Sequence, residues 1–257
     1  MLNFCFRLLS LVCLLTSFAL PAFALTEAQV VERLAAIPIF VITDRDGIPL
    51  VGSNNGEQDR VLPFFLNPQD AEATVATIAK QEDKSADLDA QVVVRSMQDM
   101  YNFIQNNQDN GLIYQIVPSE SSLAAASELT KAKDDQLPNV PVFFAVEQGG
   151  ENNNGLFTVS QGERVFIPFF FEKAELDRLI AEVNKNDKLK TKPEIKVISF
   201  FQVLNSMIDT EEGKPSPEVE KFAFFPAQAS FDWIQVNLKA DGKQSPASGD
   251  SAPSAKS

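Results

Sequence analysis

Histidine is absent from the 257-residue sequence, and the only two cysteines, Cys5 and Cys13, lie within residues 1–24. A chain without histidine cannot form a Ser-His-Asp or Cys-His catalytic centre, or a metal site that uses imidazole ligands. Because both cysteines fall in a segment that we expect to be removed, the mature chain also lacks thiols for disulfides, catalysis or metal binding. We therefore predict no catalytic residue, no metal site and no cofactor.

Basic residues are fewer than acidic ones. The chain has 22 Lys+Arg and 35 Asp+Glu, which gives a formal net charge of −13. Such an acidic surface repels phosphate backbones and anionic lipid headgroups, so we predict no nucleic-acid partner. Carboxylates are abundant, but no motif places two of them together as an acid–base pair. Because the number of carboxylates alone does not exclude such a pair, a carboxylate-dependent hydrolase stays open as an alternative function.

Residues 1–24 have the pattern of a secretory signal peptide. Arg7 is the only charge in this segment, residues 8–20 form an apolar stretch, and Ala22-Phe23-Ala24 fits the small-x-small cleavage pattern. The apolar stretch is short for a membrane span. We predict that cleavage leaves Leu25 as the first residue of an exported chain that does not insert stably into a membrane.

The remainder of the sequence contains one pattern twice. Ile37-Pro38-Ile39-Phe40 resembles Val140-Pro141-Val142-Phe143, and residues 60–66 resemble residues 164–171. Further matches keep the same order at offsets between 103 and 108: Ala76 with Ala181, Lys80 with Lys185, Val93-Val94 with Val197-Ile198, Gln98 with Gln202, Ile104 with Ile208, Pro118 with Pro226 and Ser122 with Ser230. An ordered set of matches at a nearly constant offset predicts an internal duplication.

Both copies predict the same order of strands and helices, from apolar β-branched runs and from apolar residues at helical spacing. Strands are predicted at residues 37–43, 48–51, 62–66, 91–94 and 112–117, and again at 140–146, 156–159, 165–171, 195–198 and 222–225. Helices are predicted after the N-caps Thr26 and Asn67, and along further apolar stripes. The stripes are Met97, Met100, Tyr101 and Ile104; Leu176, Leu179, Ile180 and Val183; Phe201, Leu204 and Ile208; and residues 123–129.

These elements predict an α/β (α+β) fold of two similar halves, related by a pseudo-twofold axis and packed as one body. The first half covers residues 25–139 and includes the helix that links the two copies. The second half covers residues 140–238, and the Ser/Pro/Ala-rich residues 239–257 are expected to form a disordered tail.

The segment Asp44-Arg45-Asp46-Gly47 faintly resembles a calcium-binding loop. A calcium loop needs glycine at its sixth position and a bidentate glutamate at its twelfth, whereas here glycine comes fourth and Asn55 comes twelfth. We predict a hairpin turn instead, with Gln148-Gly149-Gly150 as its counterpart in the second copy.

Two Pro-Phe-Phe strands are apolar at every position, and this pattern has two interpretations. A strand that is covered on both faces needs no polar alternation, which makes its phenylalanines core. Pro63 and Pro168, however, cannot donate to a ladder and favour a sheet edge or the start of a strand, where the strands could border a hydrophobic surface for extended client chains. The candidate client-binding residues are Phe64, Phe65, Phe169, Phe170 and Phe171.

Several segments together resemble the Tic22 family, the soluble intermembrane-space component of chloroplast protein import and its cyanobacterial relatives. They are the repeated Val/Ile-Pro-Val/Ile-Phe strands, the motif from Ile167 to Glu172, residues 176–179, residues 196–204 and residues 225–230. The resemblance covers roughly residues 25–236 and leaves out the tail. It carries over no catalytic or ligand-binding residue, because the shared motifs are structural.

The resemblance implies a non-enzymatic, chaperone-like factor that assists protein transport across the intermembrane space or periplasm and outer-membrane protein biogenesis. Its implied partners are unfolded or translocating precursor proteins and components of a translocon or of outer-membrane assembly. The implied location is the periplasm, with the thylakoid lumen or a membrane periphery as alternatives. A structural or scaffolding envelope protein is a further alternative to the chaperone-like function.

Overall fold

A computed structural model describes residues 25–53, 59–80, 89–131, 136–147, 155–185, 193–208 and 218–241. The predicted signal peptide, the turn Gln148-Gly149-Gly150 and residues 242–257 of the predicted tail lie outside these ranges. Among the described residues, none of the helices combines the length and the hydrophobicity that crossing a bilayer requires.

Strands and helices follow one another in the predicted order. The first half contains α1 (Glu27–Leu34), β1 (Pro38–Thr43), β2 (Gly52–Ser53), β3 (Arg60–Phe65), α2 (Pro68–Ala79), β4 (Gln91–Ser96), α3 (Met97–Asn106), β5 (Leu112–Val117) and α4 (Glu120–Thr130). The second contains β6 (Pro141–Glu147), β7 (Gly155–Leu156), β8 (Val159–Gln161), β9 (Arg164–Phe170), α5 (Lys173–Asn184), β10 (Glu194–Ser199), α6 (Phe200–Met207), a 3₁₀ turn (Val219–Lys221), β11 (Phe222–Phe225) and α7 (Gln228–Asp241).

Side-chain caps determine where several helices begin. Thr26 forms the capping box that the sequence predicts at α1, and Asn67 caps α2 with Pro68 at the first helical position. Ser96 and Ser199 form two further capping boxes, at the start of α3 and of α6. Each of these two serines ends a strand, so the strand passes directly into the helix.

The two sheets have the same strand order and the same strand directions. The first runs β4-β1-β3-β5 and the second β10-β6-β9-β11, and in each the last pair is parallel while the other pairs are antiparallel. The short strands β2, β7 and β8 lie at the ends of the long ones. Both sheets are therefore mixed, and the fold is α/β as predicted.

The predicted second strands are only partly correct. Residues 48–51 form no strand beyond a single bridge between Thr43 and Pro49, and pairing resumes at β2. Residues 156–159 divide into β7 and β8, which pair with different neighbours. The predicted turn before residue 48 is confirmed, because Asp44 Oδ1 accepts hydrogen bonds of 2.9 Å from the backbone N–H groups of Asp46 and Ile48.

Register gives a more accurate alignment of the halves than the sequence comparison does. Ser96 lies opposite Pro38 and Ser199 opposite Pro141, so β4 and β10 match at an offset of 103. The predicted match of Val93 with Val197 is therefore wrong by one residue. The error has a physical origin, because the capping serine and not the apolar run fixes where each strand ends.

Pro63 and Pro168 lie inside central strands, because β3 lies between β1 and β5 and β9 lies between β6 and β11. This corrects the expectation that these prolines mark a sheet edge or the start of a strand. Since proline has no N–H, the ladder to the neighbouring antiparallel strand shrinks to one pair in each sheet. The remaining pairs are Phe40 with Phe65 and Phe143 with Phe170.

The carbonyl groups of β1 and β6 that the prolines leave without a ladder partner accept hydrogen bonds from the chain that follows each of these strands. The backbone N–H of Leu50 donates to Ile42 O at 2.8 Å, and that of Phe157 donates to Ala145 O at 2.9 Å. Ile42 and Ala145 each lie two residues beyond the remaining pair. The prolines thus open the same gap in both sheets, and the following chain fills it.

Apolar side chains form three clusters, one between the sheets and one on the outer face of each sheet. The middle cluster joins inner-face residues of both sheets to α1, α3 and α6, and it contains Ile39, Val41, Leu62, Phe64, Val142, Ile167, Phe169, Phe171, Val30, Leu34, Met97, Met100, Phe200, Val203 and Met207. Because the central strands are covered on both faces, they need no polar alternation. The shared middle cluster also makes the halves one body.

Helices α4 and α7 are exchanged between the halves. Ala126 of α4 packs beside Phe143 on the outer face of the second sheet, and Trp233 of α7 packs beside Phe40 on the outer face of the first. The sequence did not lead us to predict α7, although the match of Ser122 with Ser230 pointed to it. Because α7 continues to Asp241, helical structure extends three residues into the segment predicted as a disordered tail.

Candidate functional site

The five phenylalanines proposed to bind clients are core residues. Phe64, Phe65, Phe169, Phe170 and Phe171 expose only 3–7% of their surface. Three of them belong to the middle cluster, and the other two belong to the outer clusters. Their burial makes these side chains part of the core, although Phe64 also lines the two openings described below, and client binding by the five residues stays a prediction.

An apolar cleft opens above the inner face of the first sheet. We call it the α3 cleft, and it has a volume of 170 Å³. Its walls are the sheet, the turn after β1 and helix α3. The lining residues are Ile39, Val41, Thr43, Gly47, Pro49, Leu62, Phe64, Val93, Arg95, Asp99, Met100 and Phe103.

A difference between the two sheets explains why this cleft exists. Val41 lies three residues after Pro38 in β1, and Phe144 lies three residues after Pro141 in β6. The two residues therefore occupy the same position in their sheets. The ring of Phe144 lies 5.6 Å from that of Phe169, which also contacts Phe222 at 5.0 Å. A valine leaves open the space that the larger aromatic side chain fills in the second half.

A larger groove runs along β5 on the other side of α3. We call it the β5 groove, and its volume of 740 Å³ lies within the usual range for binding pockets. The α3 cleft and the β5 groove share Phe64 and Met100 as walls. The β5 groove is lined by Phe64, Met100, Tyr101, Ile104, Tyr114, Gln115, Ile116, Val117, Pro118, Leu123, Leu137, Pro138, Asn139, Val140 and Phe201.

The β5 groove has no charged residue in its lining, although 22% of the chain is charged. Its two phenol groups both donate hydrogen bonds, that of Tyr114 to Asn107 O at 3.0 Å and that of Tyr101 to the carboxylate of Glu27. This bond, together with burial, raises the pKa of Tyr101 above its ordinary value of 10.0. The phenol therefore keeps its proton at physiological pH, and the groove stays neutral.

Two charges stand at the rim of the α3 cleft, and both already have local partners. Asp99 accepts the backbone N–H of Ser96 in the capping box at 3.1 Å. The guanidinium of Arg95 donates to Val94 O at 2.9 Å. Neither side chain is therefore held in an arrangement for acid–base chemistry. In the described part of the chain, no three acidic residues come together as a metal-binding group.

Phe201 is the groove residue whose exposure the sequence analysis missed. It exposes 45% of its surface, whereas Phe200 next to it is buried. The spacing of the buried residues Phe200, Val203 and Met207 marks the inward face of α6, and Phe201 lies off that face. A count of helical positions could therefore have identified it. Tyr101 and Ile104, which belong to the predicted apolar stripe of α3, lie in the groove wall.

Comparisons with known proteins agree with this architecture. A sequence model described as the Tic22-like family matches residues 13–226. The structure of Tic22 from Plasmodium falciparum superposes with a TM-score of 0.64 at 23% identity, covering 84% of this chain and 99% of its own. Anabaena Tic22, titled as protein transport, superposes with a TM-score of 0.65 at 20% identity, covering 82% and 97%. No match was found among curated proteins.

Proposed function

The chain belongs to the Tic22-like family, and from this we propose that it is a protein-transport factor that holds unfolded segments of precursor proteins. In this proposal it acts as a chaperone and not as an enzyme. The Anabaena relative of the same fold is titled as protein transport. The absence of histidine from the whole sequence leaves few groups for general acid–base catalysis, which also favours binding over catalysis.

One observation carries the proposal, namely an uncharged, mainly apolar groove on the surface of a chain with a net charge of −13. Unfolded precursors present apolar side chains that must be kept from one another, and aromatic walls offer large contact areas with few rotatable bonds. Burial of apolar surface contributes about 25 cal/mol per Å², so two or three inserted side chains give several kcal/mol before ordering costs. That range suits capture followed by release.

The proposed partners are unfolded or translocating precursors, together with components of a translocon or of outer-membrane assembly. We place this activity in the periplasm or the equivalent intermembrane space, with the thylakoid lumen or a membrane periphery as alternatives. The signal-peptide pattern of residues 1–24 supports export. The acidic surface would keep a protein with an exposed apolar groove monodisperse.

We also infer that the halves arose by internal duplication and are related by a pseudo-twofold axis. Three features support this inference: the identical strand order, the paired capping boxes and the reciprocal exchange of α4 and α7. The groove, in contrast, is asymmetric, because β5 and α3 of the first half form most of its lining while Val140 and Phe201 of the second half complete it. Duplication would thus have supplied the scaffold, and later divergence the binding surface.

A matched pair of charge substitutions tests the function. Phe201→Asp introduces a charge into the groove, and Phe231→Asp introduces the same charge at a phenylalanine on α7 outside it, where 40% of the side chain is exposed. The measurement is light scattering from a denatured outer-membrane β-barrel protein diluted into buffer with each variant. We expect Phe201→Asp to lose most of the suppression of aggregation and Phe231→Asp to retain it.

Equal melting temperatures of the two variants would show that both remain folded. If Phe201→Asp suppressed aggregation as well as the unaltered protein, the groove would not hold precursors. The scaffolding alternative would then be favoured.

A further inference from the structure

Strand β5 forms one edge of the first sheet. It pairs in parallel with β3 over its whole length, and its other side has no neighbour among the described strands. Val117 O accepts a hydrogen bond of 3.0 Å from Leu66 N, so the backbone groups of Val117 point toward β3. Because backbone direction alternates along a strand, Gln115 points the same way, and Tyr114 and Ile116 point outward.

No other edge strand in the described part of the chain is equally open. Natural proteins protect sheet edges with charged residues, with proline or by making the edge short. Strand β4 carries Arg95, β10 carries Glu194 and Lys196, and β11 has only four residues. Strand β5 has six residues, Leu-Ile-Tyr-Gln-Ile-Val, without a charge or a proline. Its composition favours β-pairing and offers nothing to prevent it.

The open edge of β5 borders the β5 groove. Five consecutive residues, 114–118, line the groove, which means that the groove lies beside the strand and not over one of its faces. Residues 137–140 form the opposite side, and Phe64, Met100 and Phe201 lie among the walls. Backbone donors and acceptors of β5 therefore border the same space as the apolar side chains.

We propose that an extended segment of a client chain binds in the β5 groove as an added strand, hydrogen-bonded to Tyr114 and Ile116. This proposal rests on the proposed function and specifies its chemistry. The backbone of the segment completes the first sheet, which makes binding largely independent of client sequence. Alternate side chains of the segment enter the apolar part of the groove.

The same geometry defines the class of client. Side chains on one face of an added strand contact the inner side of the sheet, where Phe64 and Met100 lie. Side chains on the other face lie beside Ile113, which is 47% exposed to solvent. A preferred client is therefore an extended segment with apolar residues at alternate positions, the pattern of a half-buried β-strand, and not a uniformly apolar helix.

Hydrogen exchange measured by NMR tests this proposal at single residues. The probe is a soluble ten-residue peptide in which valine alternates with threonine. We expect the peptide to slow exchange of the Tyr114 and Ile116 amides at least tenfold. The amides of Gln115 and Val117, which already face β3, should change little. This alternation is specific for strand addition, because simple burial would slow exchange along the whole segment.

Two matched controls separate backbone pairing from side-chain contact. A version of the peptide that is N-methylated at every second residue keeps all side chains but loses donors, and we expect its fluorescence-anisotropy affinity to fall at least tenfold. Ile116→Pro removes an outward N–H without removing a donor to β3, and it should weaken binding similarly. If this variant does not fold, the methylated peptide and the exchange pattern still decide.

Two results would overturn the proposal. The first is equal affinity for the methylated and unmethylated peptides without protection of the Tyr114 and Ile116 amides, which would mean that side-chain contacts alone hold the client. The proposed function would survive that result if Phe201→Asp still lost the suppression of aggregation. Concentration-dependent protection of the same amides without peptide would mean that the edge pairs with a second copy of the chain.

Discussion

The hydroxyl of Ser122 donates a hydrogen bond of 2.9 Å to the backbone carbonyl of Phe171. Ser122 belongs to α4 of the first half, and Phe171 directly follows β9 of the second. At the matching place, Ser230 of α7 donates to Leu66 O at 3.3 Å. Both serines are buried. Each half thus covers the outer face of the other half's sheet and satisfies a carbonyl at its margin.

Ser122→Ala should lower the free energy of unfolding by about 1–3 kcal/mol, because the buried carbonyl of Phe171 loses its side-chain partner. Urea denaturation followed by the fluorescence of Trp233, the only tryptophan, measures this change. Ser121→Ala is the control, since the exposed hydroxyl of Ser121 bonds to the carboxylate of Glu172 and should matter less. Equal stability of both variants would contradict the importance of the exchanged helix.

Arg33 joins α1 to the 3₁₀ turn of the second half. Its guanidinium donates to Val219 O at 2.8 Å, to Phe222 O at 3.0 Å and to Glu220 O at 3.2 Å. Burial lowers the pKa of Arg33, and the charge of Glu220 acts in the opposite direction. Arg33→Met keeps the apolar stem but leaves three carbonyls without this donor, which should cost about 2 kcal/mol.

Thermal and urea unfolding check this prediction. The control is Arg178→Met, which removes an exposed pair with Glu175 that should contribute about 0–1 kcal/mol. If Arg33→Met proved no more destabilising than the control, the turn would be held by the packing of Val219 alone.

Asp70 gives the stability of the protein a dependence on pH. Burial, and to a lesser extent the charge of Glu120, raises the pKa of Asp70 above its ordinary value of 3.8. The folded state therefore binds this proton more tightly than the unfolded state. The resulting stability is fully present below pH 3.8 and is lost as pH rises through the folded pKa.

Asp70→Asn should consequently be more stable than the unaltered protein at pH 7 and equal to it at the acidic end of the range. The gain should not exceed about 1 kcal/mol, because water still screens this only partly buried carboxyl group. Urea midpoints measured from pH 3 to pH 7 show the difference. Glu120→Gln should give a smaller gain in the same direction, and a constant offset between variants at every pH would contradict the assignment.

Val41→Phe should fill the α3 cleft, because Phe144 occupies the matching position of the second sheet. We expect a stability change below about 1 kcal/mol, since the added ring enters existing space. Val142→Phe, at a fully buried position, should cost about 1–3 kcal/mol by overpacking. Calorimetric melting temperatures compare the two, and an equally damaging Val41→Phe would show that the cleft cannot accept a side chain.

Local structure could be predicted well from the sequence, because its causes lie within a few residues. Thr26 and Asn67 cap helices where their side chains reach the next backbone N–H groups, and strands 112–117 and 222–225 match the structure at both ends. The ordered matches also predicted that the two halves contain strands and helices in the same order along the chain. Where local signals competed, as at Val93 and Val197, the alignment moved by one residue.

Only the tertiary structure decided which apolar residues are buried. An uninterrupted run such as Leu62-Pro63-Phe64-Phe65 is compatible with a doubly covered strand and with an open groove, because hydrophobicity alone does not say what packs against each face. The outer faces of the sheets are covered by α2 and α5 of the same half together with α4 and α7, which come from the opposite half and lie far away in the sequence. The same packing leaves β5 and Phe201 at the surface. The sequence therefore determined the elements, their caps and their order, whereas contacts between the halves determined the core, the groove and the free edge.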